Sequence, residues 1–199
     1  MPPLCMPALR VSAAREQLGM VSGESDVHLA ADLALGYDHR DGDFEGHISG
    51  VGNLEKGGRG TWKLSNASAH VGDDVINEGK LRLVGRGELA ARNGLIGVAP
   101  GARPGATVSV ENEARWLLAE DLSLGSRAQL SVYDRGAVTV SDELVIGRGS
   151  LVELAGGKRR ASESMAAPSS SAPARSPPGC SSAICTTSAA RSRLARHPD

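Results

Sequence analysis

A gapless repeat of 22 residues constrains the fold of this chain more than any other feature. Residues 106–127 read ATVSVENEARWLLAEDLSLGSR, and residues 128–149 read AQLSVYDRGAVTVSDELVIGRG. At this spacing apolar residues align with apolar residues, and Gly125 aligns with Gly147. A third copy begins at Ser150 and fails after Gly157, where the composition changes. A fixed period of this length is typical of folds whose units stack on one another.

Within each copy the apolar residues lie two apart, as in Val108 and Val110 and again in Leu122 and Leu124. This is the period of a strand and not of a helix. Asn, Asp and Gly divide each copy into about three short strands. Such a unit matches one coil of a solenoid whose neighbouring coils pair about 4.8 Å apart. We therefore predict an all-β fold, a parallel β-solenoid. An antiparallel sandwich or barrel of short strands is the alternative.

The repeat also predicts which residues stack. We expect about five coils over residues 44–155. A weaker earlier copy ends at Ile96 and Gly97, and its six surplus residues fall in the Pro- and Gly-rich segment 98–106, which we interpret as an inserted loop. Two internal ladders should run through Val108, Leu130 and Val152 and through Val110, Val132 and Leu154.

Composition divides the chain into three parts. With 25 Gly and only five aromatic residues among 199, the chain suits a core of stacked aliphatic layers with frequent turns. Residues 158–199 hold seven Lys or Arg and two acids, whereas the rest holds 15 bases and 21 acids. This Ser-, Ala-, Arg- and Pro-rich tail contains few large apolar residues, so we expect it to be disordered. We divide the chain into an irregular segment (1–26), β-helical repeats (27–157) and the tail (158–199). The abrupt change at residue 158 suggests the hypothesis of a frame change in the gene.

Several classes of protein are disfavoured. A net charge of −1 gives no reason to expect binding to nucleic acid. No apolar run approaches the length of a membrane-spanning helix, and the N-terminus lacks the apolar stretch of a secretory signal. The cysteines, Cys5, Cys180 and Cys185, lie near the ends without further zinc ligands around them.

Residues 44–81 resemble the strand repeat of bacterial autotransporter passenger domains. The matching positions are Phe44, Gly46, Ile48, Gly50, Gly52, Leu54, Lys56, Gly58, Gly60, Thr61, Leu64, Ser65, Gly72, Ile76, Asn77, Gly79 and Leu81. Trp62 replaces a usual leucine, and His70 with Val71 replaces Tyr-Thr.

The 22-residue repeat is similar to a second element of large type V secretion proteins, V-x-V-x-x-x-A-x-W followed by D-L-x-L-G. It is carried by Val108, Val110, Ala114, Trp116, Asp121, Leu122, Leu124 and Gly125. The two resemblances imply a right-handed single-stranded parallel β-helix. They also imply a passenger domain at the cell surface, at the outer membrane or secreted. Members usually begin with a signal peptide and end with an outer-membrane barrel. Neither is visible here, so we interpret the chain as a fragment.

Isolated polar groups do not form a convincing catalytic set. We interpret His70, Asp73 and Asp74 as a solvated polar turn, and His47 as facing outwards. GGRGTW (57–62) begins like a calcium-binding nonapeptide but has Trp62 where a carboxylate is needed. Gly85-x-Gly87 lacks the helix of a dinucleotide loop. We therefore expect no catalytic, cofactor-binding or metal-binding residues.

Two classes of function remain open. The first is a structural or adhesive module that binds host or neighbouring-cell surface molecules through its outer faces and loops. The alternative is a polysaccharide lyase or hydrolase, since such enzymes also use parallel β-helices and cluster Asp, Arg or Lys on one strand face. Asp121 and Glu143 should stack one coil apart, without a third carboxylate on the next coil.

The last coil should be incomplete, because the tail is expected not to finish it. Leu144, Ile146 and Val152 should then be partly exposed at an open edge. This edge predicts marginal stability or self-association through the C-terminal end.

Overall fold

The computed structural model describes residues 8–12, 15–98 and 105–155 and the backbone of residues 184–187. These residues form seven coils of short strands, with one further strand after the seventh coil. None of them belongs to a helix long and apolar enough to cross a membrane.

The strands follow one another coil by coil. The first two coils are β1 (Leu9–Val11) and β2 (Arg15–Gln17), then β3 (Val27–Leu29), β4 (Asp32–Leu35) and β5 (Gly42–Phe44). The third and fourth are β6 (Ile48–Gly50), β7 (Leu54–Lys56) and β8 (Thr61–Leu64), then β9 (Ala67–His70), β10 (Asp74–Ile76) and β11 (Lys80–Leu83). The fifth and sixth are β12 (Glu88–Ala91), β13 (Gly94–Ile96) and β14 (Thr107–Val110), then β15 (Arg115–Leu118), β16 (Leu122–Leu124) and β17 (Gln129–Tyr133). The seventh is β18 (Ala137–Val140), β19 (Leu144–Ile146) and β20 (Leu151–Ala155), and β21 (Ile184–Thr187) follows.

Three parallel sheets run along the solenoid. Sheet A contains eight strands in the order β1-β3-β6-β9-β12-β15-β18-β21, sheet B seven strands from β2 to β19, and sheet C six strands from β5 to β20. Each strand inside a sheet pairs with the strand one coil before and one coil after it. The predicted parallel β-solenoid is therefore confirmed, and the antiparallel alternative is wrong. Five of the seven coils, β6 to β20, fall within residues 44–155, as expected from the repeat.

Aliphatic ladders fill the space between the sheets. Residues that alternate along each strand point inwards, which is why the period of two marked the strands correctly. Leu122 and Leu124 are 1% and 2% exposed. The two ladders predicted in sheet C are confirmed: adjacent strands pair Val108 with Leu130 and Val152, and Val110 with Val132 and Leu154.

The weaker earlier copy also has the predicted register. Ile96 pairs with Leu124 despite the longer spacing, so the surplus residues leave the stacking of sheet B intact. Residues 99–104 of the proposed inserted loop lie outside the described residues.

Both ends of the chain differ from the expected division. Residues 1–26, expected to be irregular, contain β1 and β2, which stack on the second coil. These strands lie outside the aligned copies of the repeat, and β2 (REQ) contains no apolar residue that could show the alternation. Most of residues 158–199 lies outside the described residues. The exception is the backbone of β21, which pairs in parallel with β18 and adds a strand to sheet A that we did not predict.

A column of Asp and Asn side chains marks the turn that enters sheet B. In four steps the side-chain oxygen accepts a hydrogen bond from the backbone N–H of the equivalent residue one coil later. The donor–acceptor pairs are Asn53 to Asp32 (2.9 Å), Asp73 to Asn53 (2.8 Å), Asp121 to Asn93 (2.9 Å) and Glu143 to Asp121 (3.0 Å). In the remaining step the donor is the side-chain amide of Asn93, which donates a hydrogen bond to the carboxylate of Asp73 at 3.0 Å. The predicted stacking of Asp121 and Glu143 belongs to this column.

The last coil is open in two of its three sheets. Among the described residues no strand pairs with the outer edges of β19 and β20. Ile146 is 49% exposed, and Leu144 and Val152 are only partly buried, as expected for an open end.

Candidate functional site

A shallow groove on the outer face of sheet C gathers charged residues from three successive coils. Asp43, Lys63 and Arg82 occupy the same position in β5, β8 and β11 and are direct partners in the sheet. The groove has a volume of about 480 Å³ and is also lined by Ser22, Asp41, Gly42 and Thr61. The period of two places these charged side chains outside, opposite the inward Trp62 and Leu64.

Ion pairs hold the basic groups of this groove in place. The Lys63 ammonium lies 2.7 Å from Asp43, and the Arg82 guanidinium donates two hydrogen bonds to Glu111, at 3.1 and 2.6 Å. The hydrogen bonds from Arg82 hold the pKa of Glu111 below its usual range. The groove thus presents fixed cations beside carboxylates, an arrangement that suits hydrogen bonding to a polar or charged polymer. None of these residues stands out in the sequence, although their outward register could have identified them.

A second polar surface lies at the turns between sheets C and A. Gly85, Asn112 and Asp134 adopt left-handed φ angles of 65°, 62° and 55° in successive turns. Asn and Asp tolerate this conformation better than other non-glycine residues. The residue after each is charged, so Arg86, Glu113 and Arg135 stack in a column. Glu113 lies 2.7 Å from Arg135 and 3.7 Å from Arg86.

Two adjoining depressions border this column, with volumes of about 640 and 370 Å³. Arg115 and Glu88, partners in adjacent strands, line the smaller one. Bases and acids alternate here, so the surface has no strong net charge.

The interior contains a closed polar network. Nε2 of His70 lies 2.9 Å from Oδ1 of Asp74, and Nδ1 lies 3.2 Å from the carbonyl oxygen of Gly52. The indole N–H of Trp116 donates to Oδ2 of Asp74 at 2.7 Å. The side chains of His70 and Asp74 are 0% and 1% exposed. Both side chains are closed off from solvent, so we interpret this network as a support of the fold.

The absence of a side chain at Gly94 makes room for the contact between Trp116 and Asp74. Asp74 lies in the fourth coil and Trp116 in the sixth, and Gly94 of the fifth coil pairs with Asp74 in sheet B. A Cβ at Gly94 would lie only 2.9 Å from Cη2 of Trp116. The missing side chain therefore leaves room for the indole to reach across one coil.

The expected solvated turn is wrong for His70 and Asp74. Both point inwards because the alternation of the strands continues through them: His70 follows the buried Ser68 in β9, and Asp74 pairs with Leu54. Asp73 does lie at the turn, where Arg92 donates to it at 3.0 and 3.1 Å. Burial raises the pKa of Asp73, but hydrogen bonds from Arg92 and Asn93 outweigh this effect and lower it.

Lys56 is a second buried polar residue. It is 2% exposed, and its ammonium donates to the carbonyl oxygens of Gly57, Gly58 and Glu78 at 3.1 to 3.2 Å. Burial lowers the pKa of Lys56 to about 8, against the opposing charges of Glu78 and Asp41. The side chain thus closes the turn between sheets B and C from inside.

The other histidines and glycine motifs have local roles. His47 faces outwards, with 56% of its side chain exposed, and bonds to Asp26 at 3.1 Å. Hydrogen bonds from His47 lower the pKa of Asp26. Gly58, in the calcium-like segment, has a φ of 67°, and a Cβ there would meet the carbonyl oxygen of Gly36 at 1.9 Å. Close packing of turns therefore explains this glycine.

Within the described ranges no three His, Cys, Asp or Glu side chains form a group suited to a metal ion. Comparison of the chain with protein-family models, with curated proteins and with solved structures gave no match in any of the three.

Proposed function

We propose that this chain is a structural and adhesive module of a secreted or surface-displayed autotransporter passenger, which binds cell-surface molecules through its outer faces and loops. The proposal is supported by how the residues of the resemblance lie in the solenoid. Leu54, Leu64, Ile76 and Leu81 point inwards, each at most 4% exposed. Gly72 lies at a turn where a Cβ would meet the carbonyl oxygen of the preceding coil at 2.2 Å.

The groove on sheet C is the surface we assign to binding. It is wide and shallow, and its charged side chains repeat at the spacing of neighbouring strands, about 4.8 Å. An extended chain such as a glycan can lie along such a row and accept or donate a hydrogen bond at each coil. This row of charged groups on a stiff scaffold is the single observation that carries the proposal.

A glycan array with a mutant pair tests this assignment. The purified chain is applied to printed neutral, sulfated and uronate glycans, and the Kd for the strongest ligand is measured by surface plasmon resonance. The double variant Lys63→Ala/Arg82→Ala should weaken binding at least tenfold, because it removes both cations of the groove. The charge-matched control, Arg127→Ala/Arg148→Ala, removes two exposed arginines from the turns between sheets B and C and should stay within twofold.

Absence of binding to any glycan, or equal losses in the two double variants, would contradict the role of the groove. Thermal melts of all the proteins show whether a loss of binding reflects a loss of fold.

The same groove also favours a second candidate, an enzyme that acts on polysaccharides. Asp41, Asp43, Lys63 and Arg82 line one strand face, which is the kind of cluster such enzymes require. A lyase needs a base to remove the proton beside a uronate carboxylate, and Lys63 is the candidate within the groove.

Incubation with polygalacturonate, alginate and hyaluronan distinguishes the two functions. The ultraviolet absorbance of unsaturated ends reports a lyase, and a reducing-end assay reports a hydrolase. Turnover that disappears in Lys63→Ala, while the Arg127→Ala control keeps it, would favour the enzyme. Binding without turnover would favour the adhesive module.

A further inference from the structure

The exposed apolar surface of the chain is concentrated at its C-terminal end. Eight large apolar residues are exposed in the part of the chain that the structure describes, and four of them lie in β19 and β20. These are Val145 (37%), Ile146 (49%), Leu151 (53%) and Leu154 (46%). The same two strands present unpaired backbone groups at the edges of sheets B and C. An edge that combines both features favours pairing with another strand.

The opposite end of the solenoid does not match this surface. Its first coil ends in the polar strand Arg15–Gln17, and none of its described large apolar side chains is more than partly exposed. Sheet C begins only in the second coil, with β5, so the first coil offers no sheet C strand to β20. Stacking one copy head-to-tail on another would therefore leave β20 unpaired and place apolar side chains against charged ones.

The chain's own tail supplies little material to cover the end. Residues 156–183, which connect β20 to β21, contain Met165 but no Val, Ile, Leu or aromatic residue. The apolar surface of β19 and β20 can be buried more completely by the same surface of a second copy than by this segment.

We propose that the C-terminal end is an interface for a second copy of this chain, related by a two-fold axis that passes between β20 and the β20 of that copy. Each coil climbs by one strand spacing, so β19, β20 and β21 lie at successively greater heights, one on each sheet. A two-fold axis beside the middle strand, β20, pairs β20 with its own copy. It also places β19 of each copy next to β21 of the other copy. Sheet C then continues into itself across the axis, antiparallel, and sheet B of each copy continues into sheet A of the other.

The charge of Glu153 selects the register of β20. Centring the axis on Glu153 would place two carboxylates directly opposite each other, which destabilises an antiparallel pair. Centring it on Val152 keeps inward residues facing inward residues, joins Val152 to its own copy and sets Leu151 opposite Glu153. Of the two inward residues beside Glu153 we assign the axis to Val152, which is more buried than Leu154, so Val152 faces its own copy across the axis. Its ladder, which runs through Val108 and Leu130, then continues into the second copy.

Sedimentation over a wide range of concentrations tests the interface in the full chain. We expect a monomer–dimer equilibrium with no larger species, because a two-fold interface is closed. Val152→Lys places two ammonium groups face to face and should weaken association at least tenfold. Val51→Lys and Val71→Lys are matched controls, since these residues are 67% and 66% exposed at turns in the middle of the solenoid, and they should stay within twofold.

Cysteine cross-linking tests the axis itself and does not require Val152→Lys to fold. In a chain with Cys5, Cys180 and Cys185 replaced by Ser, only a residue on the axis meets its own copy. Val152→Cys should therefore oxidise to a covalent dimer, whereas Leu151→Cys and Leu154→Cys should not.

Three results would overturn the proposal. They are a monomer at every concentration, an open-ended series of oligomers, and cross-linking through residue 151 or 154 in place of 152. Glycan binding is measured separately, so failure of the interface is distinguishable from failure of the proposed function.

Discussion

The third and fourth coils and the fifth to seventh coils have the same three sheets but differently built interiors. In the later coils the inward residues of sheets B and C are aliphatic apart from Gly94, as in the ladder from Val108 through Leu130. The earlier coils bury Lys56 and Asp74 at equivalent inward positions of sheet B, and His70 at an inward position of sheet A. Each of these has hydrogen-bond partners on neighbouring turns or coils.

The difference shows that a solenoid position tolerates a polar side chain only when its partners are built around it. Asp74 requires His70, the indole of Trp116 and the missing side chain of Gly94 together. A leucine at the same position requires only apolar neighbours of suitable volume. The polar coils should therefore respond to substitution as a coupled group, and the aliphatic coils residue by residue.

The largest effect is expected for Asp74→Ala. This change leaves the indole N–H of Trp116 and a ring nitrogen of His70 without partners in a closed interior. Each buried donor or acceptor left without a partner costs about 1–3 kcal/mol of unfolding free energy, and two such groups lose their partner here. Urea denaturation followed by circular dichroism measures it, with the exposed Asp142→Ala as the control expected within about 0.5 kcal/mol. A loss below about 1 kcal/mol would show that the network is dispensable.

Leu130→Ala should have the next largest effect. Leu130 is 3% exposed and lies in an aliphatic ladder between Val108 and Val152, so truncation leaves a cavity. The expected loss of unfolding free energy is about 2–4 kcal/mol. Leu154→Ala, the same change at the open end, should cost under about 1 kcal/mol in the monomer because the side chain is already 46% exposed. Equal losses in urea melts at low protein concentration would contradict the open end.

Gly94→Ala tests the coupling of the polar coils. The new Cβ would lie 2.8 to 2.9 Å from side-chain carbons of Leu118, Leu122 and Trp116, and we expect a loss of about 1–3 kcal/mol. In a Trp116→Phe background the smaller ring relieves part of this crowding, so the same change should cost less. A double-mutant cycle measured by denaturation gives the difference. Additive losses would place the strain elsewhere.

A smaller effect on the unfolding free energy is expected from Lys56, and this effect depends on pH. The pKa of Lys56 is about 8 in the folded chain, below the ordinary value of 10.5. Between these values the unfolded chain binds more protons, so the unfolding free energy should rise as the pH increases above 8. The rise between pH 8 and pH 9.5 should be on the order of 1 kcal/mol.

Denaturation at several pH values checks this slope, with Lys56→Met as the control that should lack it. Burial and the contact with Glu55 raise the pKa of Tyr37, so stability contributed by that group is lost only as the pH rises past 10. Measurements below pH 10 therefore isolate the lysine. A flat profile in the unmodified chain would contradict the buried ammonium.

Sequence periodicity predicted the aliphatic coils well because aliphatic residues recur at equivalent inward positions of successive coils. The pairings of Val108 with Leu130 and of Val110 with Val132 followed directly from the fixed spacing. The register of Ile96 with Leu124 also agrees with the repeat, despite the longer spacing between them.

The polar coils were harder to predict because their inward residues do not repeat in kind. His70 and Asp74 resemble a surface turn in sequence, and only the partners on other coils, Gly52 and Trp116, reveal them as interior. The groove on sheet C was missed for a related reason. Asp43, Lys63 and Arg82 are unremarkable singly, and they become a site only when strand register places them side by side.

The column of Asp and Asn side chains that enters sheet B gives assembly a direction. Asp32, Asn53, Asn93 and Asp121 each hold an oxygen acceptor ready for a backbone N–H that belongs to the following coil. A finished coil is thus a template for the next one. Because each acceptor is in place before the next coil forms, elongation from the N-terminal side does not require a new folding nucleus. Folding can then keep pace with a chain that becomes available a few residues at a time.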